Sequence, residues 1–259
     1  MKNRLNSFAA SLLIVLATAA AWAQERETPG TFPGETAEGY LLPNGWRVTP
    51  VGDQVPLTDL PFNIVVTPDS RRAIVTTNGY NAHEISLVDL ETKQRIAQAT
   101  VPQSWFGVAV DAEKNRLWWS GGGENVIHSF AFSEKELTAG QAYQPAQPAA
   151  NDVATEPQGF RTGLCLDSKS SSTLYSLTIL TKGGNKSFAW GDATTDEGLG
   201  GVITAIDLAG RTPPRSADCG GRPYDVVQAR NGLLYVSDWA GRRLLVLDPD
   251  SLRTLHKIP

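Results

Sequence analysis

Little in this sequence is arranged for bond-breaking chemistry. The three histidines, His83, His128 and His256, have no spacing that would bring two imidazoles to one zinc ion. Asp192-Ala-Thr-Thr-Asp-Glu197 lacks the alternating carboxylates and central glycine of a dedicated calcium loop, so it reads as a solvated acidic loop. Lys182-Gly-Gly-Asn-Lys186 misses the spacing of a phosphate-binding loop, and no C-x-x-C-H segment offers covalent haem attachment. The sequence therefore calls for no metal, no cofactor and no catalytic residue. What remains is a set of side chains suited to holding a ligand: Asn63, Trp105, Tyr224, Asp225 and Trp239. Aromatic rings bury apolar ligand surface, while an amide and a carboxylate fix its orientation.

The elements that must position these residues follow from an internal repeat. Pro61-Phe-Asn-Ile-Val-Val, Trp105-Phe-Gly-Val-Ala-Val and Pro223-Tyr-Asp-Val-Val-Gln each lead, through a polar turn, into a second strand rich in Val, Ile, Trp or Tyr. Alternation and β-branched content make these strands rather than helices. Third strands follow at Glu84–Asp89, Val126–Ala131 and Arg243–Asp248, and fourth strands at Gln94–Val101 and Leu252–Ile258. A looser unit runs through Thr162–Asp167, Thr173–Leu180, Val202–Asp207 and Arg215–Cys219. Four strands in each span of roughly 40 to 45 residues is the period of a propeller blade. The fold expected is all-β: four-stranded antiparallel blades at about 60–102, 103–156, 157–220 and 221–259, with strand 46–51 at an outer edge as partner for another blade.

Connectivity then sorts the loops. In an up-and-down meander the turns after strands one and three share one end of the blade. The turn after strand two and the link to the next blade share the other. Asp89, Asp207 and Asp248 fall at the first end and read as turn residues that accept backbone N–H bonds. Asn63, Trp105, Tyr224 and Asp225 fall at the second, at the entries of the innermost strands. Farther out on that end lie Asn78–His83, Gly121–Asn125, Trp239–Arg242 and the long loop Thr181–Gly200. Unequal, aromatic-bearing loops on one face of a rigid scaffold are where binding resides. The competing reading is that Trp105 and Tyr224 only pack between blades.

Leu234-Tyr-Val-Ser-Asp-Trp239, with Gly221-Arg-Pro-Tyr-Asp225 before it and Leu245-Val-Leu-Asp-Pro249 after it, resembles the YVTN-type propeller repeat. Leu42-Pro-Asn-Gly-Trp-Arg-Val-Thr-Pro50, with Leu60-Pro-Phe-Asn63 and Ser104-Trp-Phe-Gly107, is similar to the amino-terminal propeller of bacterial proteins that join such a propeller to an alkaline-phosphatase-like phosphoesterase domain. The resemblance implies a ring that usually has seven blades, of which four are present here. Either the chain is a truncated product, or four blades close, or another chain completes the ring. No clustered Asp/His ligands with a Ser/Thr nucleophile mark a phosphoesterase half. The expectation is an exported scaffold or ligand-binding module with a protein or small-molecule ligand on one loop face. The alternatives are a gluconolactonase-like, metal-dependent hydrolase and an inactive fragment of a phosphoesterase-linked propeller. Another propeller fragment or a phosphoesterase domain is the partner the resemblance suggests.

Export is read from the first residues. Lys2 and Arg4 precede the apolar stretch Phe8–Ala20, and Ala21-Trp22-Ala23 fits an A-x-A cleavage site, so residues 1–23 read as a signal peptide cleaved near Ala23. That stretch of 13 residues falls short of the roughly 20 needed to cross a bilayer, and the expected location is periplasmic or secreted. Residues 24–45 read as an extended leader to the propeller. The whole chain carries a net charge of −4 with no basic cluster, which argues against nucleic acid or anionic lipid as partner. Cys165 and Cys219 fall on the innermost and outermost strands of one blade, three strand spacings of about 4.8 Å apart, too far for a disulfide.

Overall fold

The computed structural model describes residues 32–37, 39–49, 51–145, 159–180 and 200–259. The expected signal peptide, most of the Ala/Gln/Pro-rich stretch 139–155, and the acidic loop near Asp192 lie outside these residues. The chain divides into two compact units, 1–54 and 55–259.

The first unit holds a three-stranded antiparallel sheet of β1 (Gly34–Thr36), β2 (Gly39–Leu41) and β3 (Arg47–Val48), in that order. Here the sequence reading needs correcting. The strand expected over 46–51 is limited to Arg47 and Val48, which pair with Leu41 and Tyr40 inside this sheet. The Pro43-Asn-Gly45 turn explains the fold-back: Gly45 adopts φ +80, its N–H donates to the Leu42 carbonyl, and the Asn44 side chain accepts the Trp46 N–H.

The second unit is built of four four-stranded antiparallel sheets, each a simple meander. The first blade comprises β4 (Pro61–Val66), β5 (Arg72–Asn78), β6 (His83–Asp89) and β7 (Gln94–Val101). The second comprises β8 (Val108–Asp111), β9 (Arg116–Ser120), β10 (Ile127–Phe132) and β11 (Leu137–Ala139). The third comprises β12 (Gly159–Leu166), β13 (Thr173–Leu180), β14 (Gly201–Asp207) and β15 (Arg215–Asp218). The fourth comprises β16 (Pro223–Gln228), β17 (Leu234–Asp238), β18 (Arg243–Leu247) and β19 (Thr254–Ile258). Helix among the described residues amounts to one 3-10 turn, Gly122–Glu124.

Each pair of adjacent blades encloses its own apolar core. Ile74, Ile85 and Leu87 of the first blade meet Leu117, Trp119, Phe130 and Phe132 of the second. Ala109, Trp118 and Ile127 meet Leu164, Leu174 and Ile206 of the third. Tyr175, Leu177 and Ile203 meet Val226, Leu234, Val236 and Leu245 of the fourth. Cys219 is fully buried in that last core and Cys165 packs against it; both are free thiols. Burial pushes the Cys165 thiol up and the Cys219 thiol to about 12, so neither forms a reactive thiolate at neutral pH.

The expected turn chemistry is present. Asp89 accepts the Thr92 N–H at 2.7 Å, Asp207 accepts the Ala209 and Arg211 N–H groups at 3.1 Å, and Asp248 accepts the Ser251 N–H at 2.7 Å. These local bonds hold Asp89 and Asp248 below their ordinary pKa, and Asp207 is held there first by the Arg211 guanidinium and then by its backbone N–H bonds.

Every innermost strand carries one extra residue at its entry. Phe62 is skipped between Pro61 and Asn63, Phe106 between Trp105 and Gly107, and register shifts also fall at Arg161/Leu164 and Pro223/Val226. A bulge re-aims the side chains beside it. The bulged segments also come close together: a Cβ on Gly107 would collide with the Thr162 carbonyl and come within 2.8 Å of the Leu164 nitrogen. Replacing Gly107 by Ala is therefore expected to cost about 1–3 kcal/mol in a urea unfolding series, the usual penalty for overpacking. An unchanged midpoint would mean the strands separate at no cost.

Candidate functional site

The bulges bring six rings from all four blades into one array. Phe62 meets Trp105 at 5.2 Å between centroids and Phe106 at 5.7 Å, both edge to face. Trp105 meets Phe160 of β12 at 5.1 Å, again edge to face. Phe106 reaches across to Tyr224 at 5.5 Å, and Tyr224 stacks on Trp239 at 4.1 Å with planes 13° apart. Edge-to-face and offset-stacked pairs each add about 0.5–1.5 kcal/mol beyond burial alone. Sequence reasoning found Trp105, Tyr224 and Trp239 and missed Phe62, Phe106 and Phe160. The signal was there for two of these: Phe62 and Phe106 occupy one place in the repeat, 44 residues apart.

The Tyr224–Trp239 stack is held by a buried carboxylate. Asp238, at the end of β17, is 1% exposed and accepts N–H groups from Gly221, Arg222 and Gly241 at 3.0–3.2 Å. The Arg243 guanidinium donates to its second oxygen at 3.0 Å. Burial pushes the Asp238 pKa up, yet the three N–H bonds and Arg243 together hold it below the ordinary value. The Trp239 N–H donates to the Arg222 carbonyl at 3.0 Å, so the turn that carries the indole is tied to the strand entry that carries Tyr224. Half of Trp239 stays exposed, at 48%.

Asp225 is half-buried beside Tyr224. Its backbone N–H donates to the Ser237 hydroxyl at 3.1 Å, and its side chain accepts the Val226 N–H at 2.9 Å. Burial raises its pKa despite that bond, and burial together with the Asp225 charge raises that of Tyr224. Asn63 has a different task. Its amide nitrogen donates to the Phe106 carbonyl at 2.8 Å and its oxygen accepts the Ile64 N–H at 2.8 Å. Both ends are committed to backbone, so Asn63 is a strut between the first and second blades.

His83 and His128 both reach the Gln103–Ser104 link into the second blade. His83 Nδ1 accepts the Ser104 N–H at 3.1 Å and contacts the Ser104 hydroxyl at 2.8 Å. His128 Nε2 lies 3.0 Å from the Gln103 carbonyl and 3.9 Å from Glu124. Burial lowers both pKa values, which leaves neutral rings clamping the link into the second blade. Among the described residues no group of three or more His, Cys, Asp or Glu is placed to hold a metal ion. No helix among them is long and apolar enough to cross a membrane. The Thr181–Gly200 loop, apart from Gly200, lies outside the described residues.

Asp238→Asn keeps an oxygen for the N–H groups and loses the charge that faces Arg243. It is expected to destabilise by about 1–3 kcal/mol at neutral pH. Because the folded pKa is depressed, that contribution is present above the unfolded value, about 3.9, and is lost as pH falls through the folded one. The gap between urea midpoints of wild type and variant should therefore start to narrow below about pH 4 and close once the pH is below the folded value. A gap that persists there would assign the effect to packing instead of charge.

No protein-family model matches the chain, and no curated protein does. Solved structures match it in fold. The Cps50 (Swd1) β-propeller domain of Myceliophteria thermophila superimposes with a TM-score of 0.54 at 14% identity, covering 76% of this chain and 59% of that one. A protein from Lactobacillus plantarum gives 0.54 at 12% identity, covering 84% and 63%. Hydrazine synthase of Kuenenia stuttgartiensis gives 0.54 at 14% identity, covering 76% and 55%. The chain thus spans little more than half the length of the structures it matches, and what it shares with them is the β-propeller fold.

Proposed function

We propose that the chain is an exported, non-catalytic β-propeller module of the YVTN-repeat type that holds a ligand on the end bearing the aromatic array. One observation carries this reading: the Tyr224–Trp239 stack is fixed from behind by Asp238, half-exposed in front, and flanked by a carboxylate that burial holds at a raised pKa. Rigid aromatic surface beside a single polar group is the composition of a binding site. The YVTN assignment rests on Leu234–Trp239, which forms β17 and the turn that places the indole. Export rests on the basic and apolar pattern of the first 23 residues. A phosphoesterase domain or a further propeller fragment is the protein partner this assignment favours.

A metal-dependent lactonase would need several carboxylates or amides converging at the array. Asn63 and Asp225 were the candidates, and Asn63 is committed to two backbone groups. That leaves a binding surface as the better reading.

The test is equilibrium binding against panels of sugars, lactones, phosphoesters and peptides, followed by tryptophan fluorescence. Tyr224→Ala and Trp239→Ala should each weaken binding about tenfold, the worth of one aromatic contact. Asp248→Ala, at the other end of the blade, should loosen its turn and leave binding intact. The reverse pattern would invert the face. Turnover of a lactone or phosphoester that the Tyr224 and Asp225 variants abolish would replace the binding module by an enzyme.

Asp225→Asn gives a separate check. A carboxyl with a raised folded pKa is a burden to folding at pH above that value, and the burden disappears as pH falls through the unfolded one. The variant should be at least as stable as wild type at pH 7 and lose its advantage in acid, while binding weakens. A clear loss of stability at pH 7 would show that the carboxylate is needed by the fold.

A further inference from the structure

Two histidines from neighbouring blades grip one short link, and they grip it by opposite chemistry. The link is Gln103–Ser104, which carries the chain from β7 of the first blade towards β8 of the second. His83 opens β6 of the first blade, and its Nδ1 accepts the Ser104 N–H at 3.1 Å. A backbone N–H only donates, so Nδ1 holds a lone pair there and the ring proton stands on Nε2. His128 lies on β10 of the second blade, and its Nε2 is 3.0 Å from the Gln103 carbonyl. A carbonyl only accepts, so this Nε2 carries a proton.

A second proton therefore acts on the two grips differently. On His83 it enters at Nδ1, where it takes the lone pair and sets two donors face to face. The Ser104 hydroxyl, 2.8 Å from Nδ1, turns to accept the new N–H, and the backbone amide has no such option. On His128 the proton enters at the other nitrogen, so the bond from Nε2 to Gln103 stays and becomes charge-assisted. Glu124, 3.9 Å from that Nε2, adds to the hold.

We propose that His83 is an acid-released latch: neutral, it fastens the first blade to the link, and protonated, it lets the Ser104 amide go while His128 keeps the link on the second blade. The first blade then loosens from the second at the end that bears the aromatic array. Phe62 of the first blade meets Trp105, next to Ser104, at 5.2 Å, so this ring contact feels the release first. The bond from Asn63 to the Phe106 carbonyl does not titrate, so the blades loosen without parting.

Burial, the largest influence on His83, holds its pKa below the ordinary 6.5. Asp59, ahead of β4, and Glu124, on the 3-10 turn, act against burial, and a charge on His128 acts with it. Glu84, next along β6, is engaged elsewhere, with Ser86 and Arg95. Because the folded pKa is depressed, the latch contributes stability above 6.5 that is lost as pH falls through the folded value. Release in acid of a ligand held by the array rests on the binding reading above; the latch itself does not.

NMR on the purified chain, with no ligand added, tests the latch. Between about pH 8 and about pH 4 the Ser104 amide should lose about tenfold in protection against hydrogen exchange, corrected for the intrinsic effect of pH, as the His83 imidazole titrates. Contacts between the Phe62 and Trp105 rings should weaken in step. His83→Asn puts an amide oxygen where Nδ1 stands, so Ser104 should stay protected throughout and the ring contacts should not respond. His128→Gln keeps an N–H for the Gln103 carbonyl and should respond to acid as wild type does. So should Asp225→Asn, which removes the carboxyl of raised pKa near the array. Ser104 protection that stays constant over the whole range in wild type would overturn the proposal. A response that persists in His83→Asn, or that disappears in His128→Gln or Asp225→Asn, would overturn it as well, by assigning the acid response to another group.

Discussion

The constraint from which the site follows is the close approach of the innermost strands. Gly107 abuts the backbone of Thr162–Leu164, and a Cβ on Gly163 would come within 2.8 Å of the Asp225 Cα. There is no room between these strands for side chains, so glycine stands at both contacts. Thr162 donates its hydroxyl to the Pro223 carbonyl and Ser120 donates to the Arg161 carbonyl, each at 2.8–2.9 Å, which ties one blade's entry to the next. With the backbones this near, the bulged entries have to turn their bulky residues away from the contact. The aromatic array is what results.

Two kinds of glue then act at different radii. Near the inner strands, hydrogen bonds between blades set direction: Asn63 to Phe106, Ser120 to Arg161, Thr162 to Pro223. Farther out, apolar side chains from strands two and three supply the bulk of the burial. Arg161 belongs to the first kind although it lies wholly buried. Its guanidinium donates to the Asn125 carbonyl and the Ser176 hydroxyl, both at 2.8 Å, and lies over the Tyr143 ring. It joins the second blade's 3-10 turn to the third blade's second strand.

The repeat made the fold legible, because period-two alternation and a 44-residue offset survive in the sequence without any tertiary information. The site was legible in part. Trp105 and Tyr224 stood out because an aromatic residue recurs where an inner strand begins. Asn63 looked like a ligand contact because its type permits one; that both ends of its amide are engaged depends on how near Phe106 comes, and no local pattern encodes that distance. Phe160 was invisible for a related reason, since the third blade's entry departs from the repeat and its ring meets Trp105 across the blade boundary. The pairing of Arg47 and Val48 with β2 was not legible because a short β-prone stretch does not say which strand it will pair with. The Pro43-Asn-Gly45 turn decided that locally.

The separation of the core into three inter-blade cores has a consequence for how the molecule comes apart. Each core is shared by two neighbours only, so the cooperative unit is the contact between blades. Among the described residues the second and third blades are held from both sides, and the first and fourth from one. Opening should therefore begin at the ends and move inward, as it does in other stacked-repeat proteins. Amide hydrogens of Leu117–Trp119 and Leu174–Leu177 would then be the last to exchange with solvent. Those of Val227 and its neighbours on the fourth blade would go early, unless something comes to rest against them.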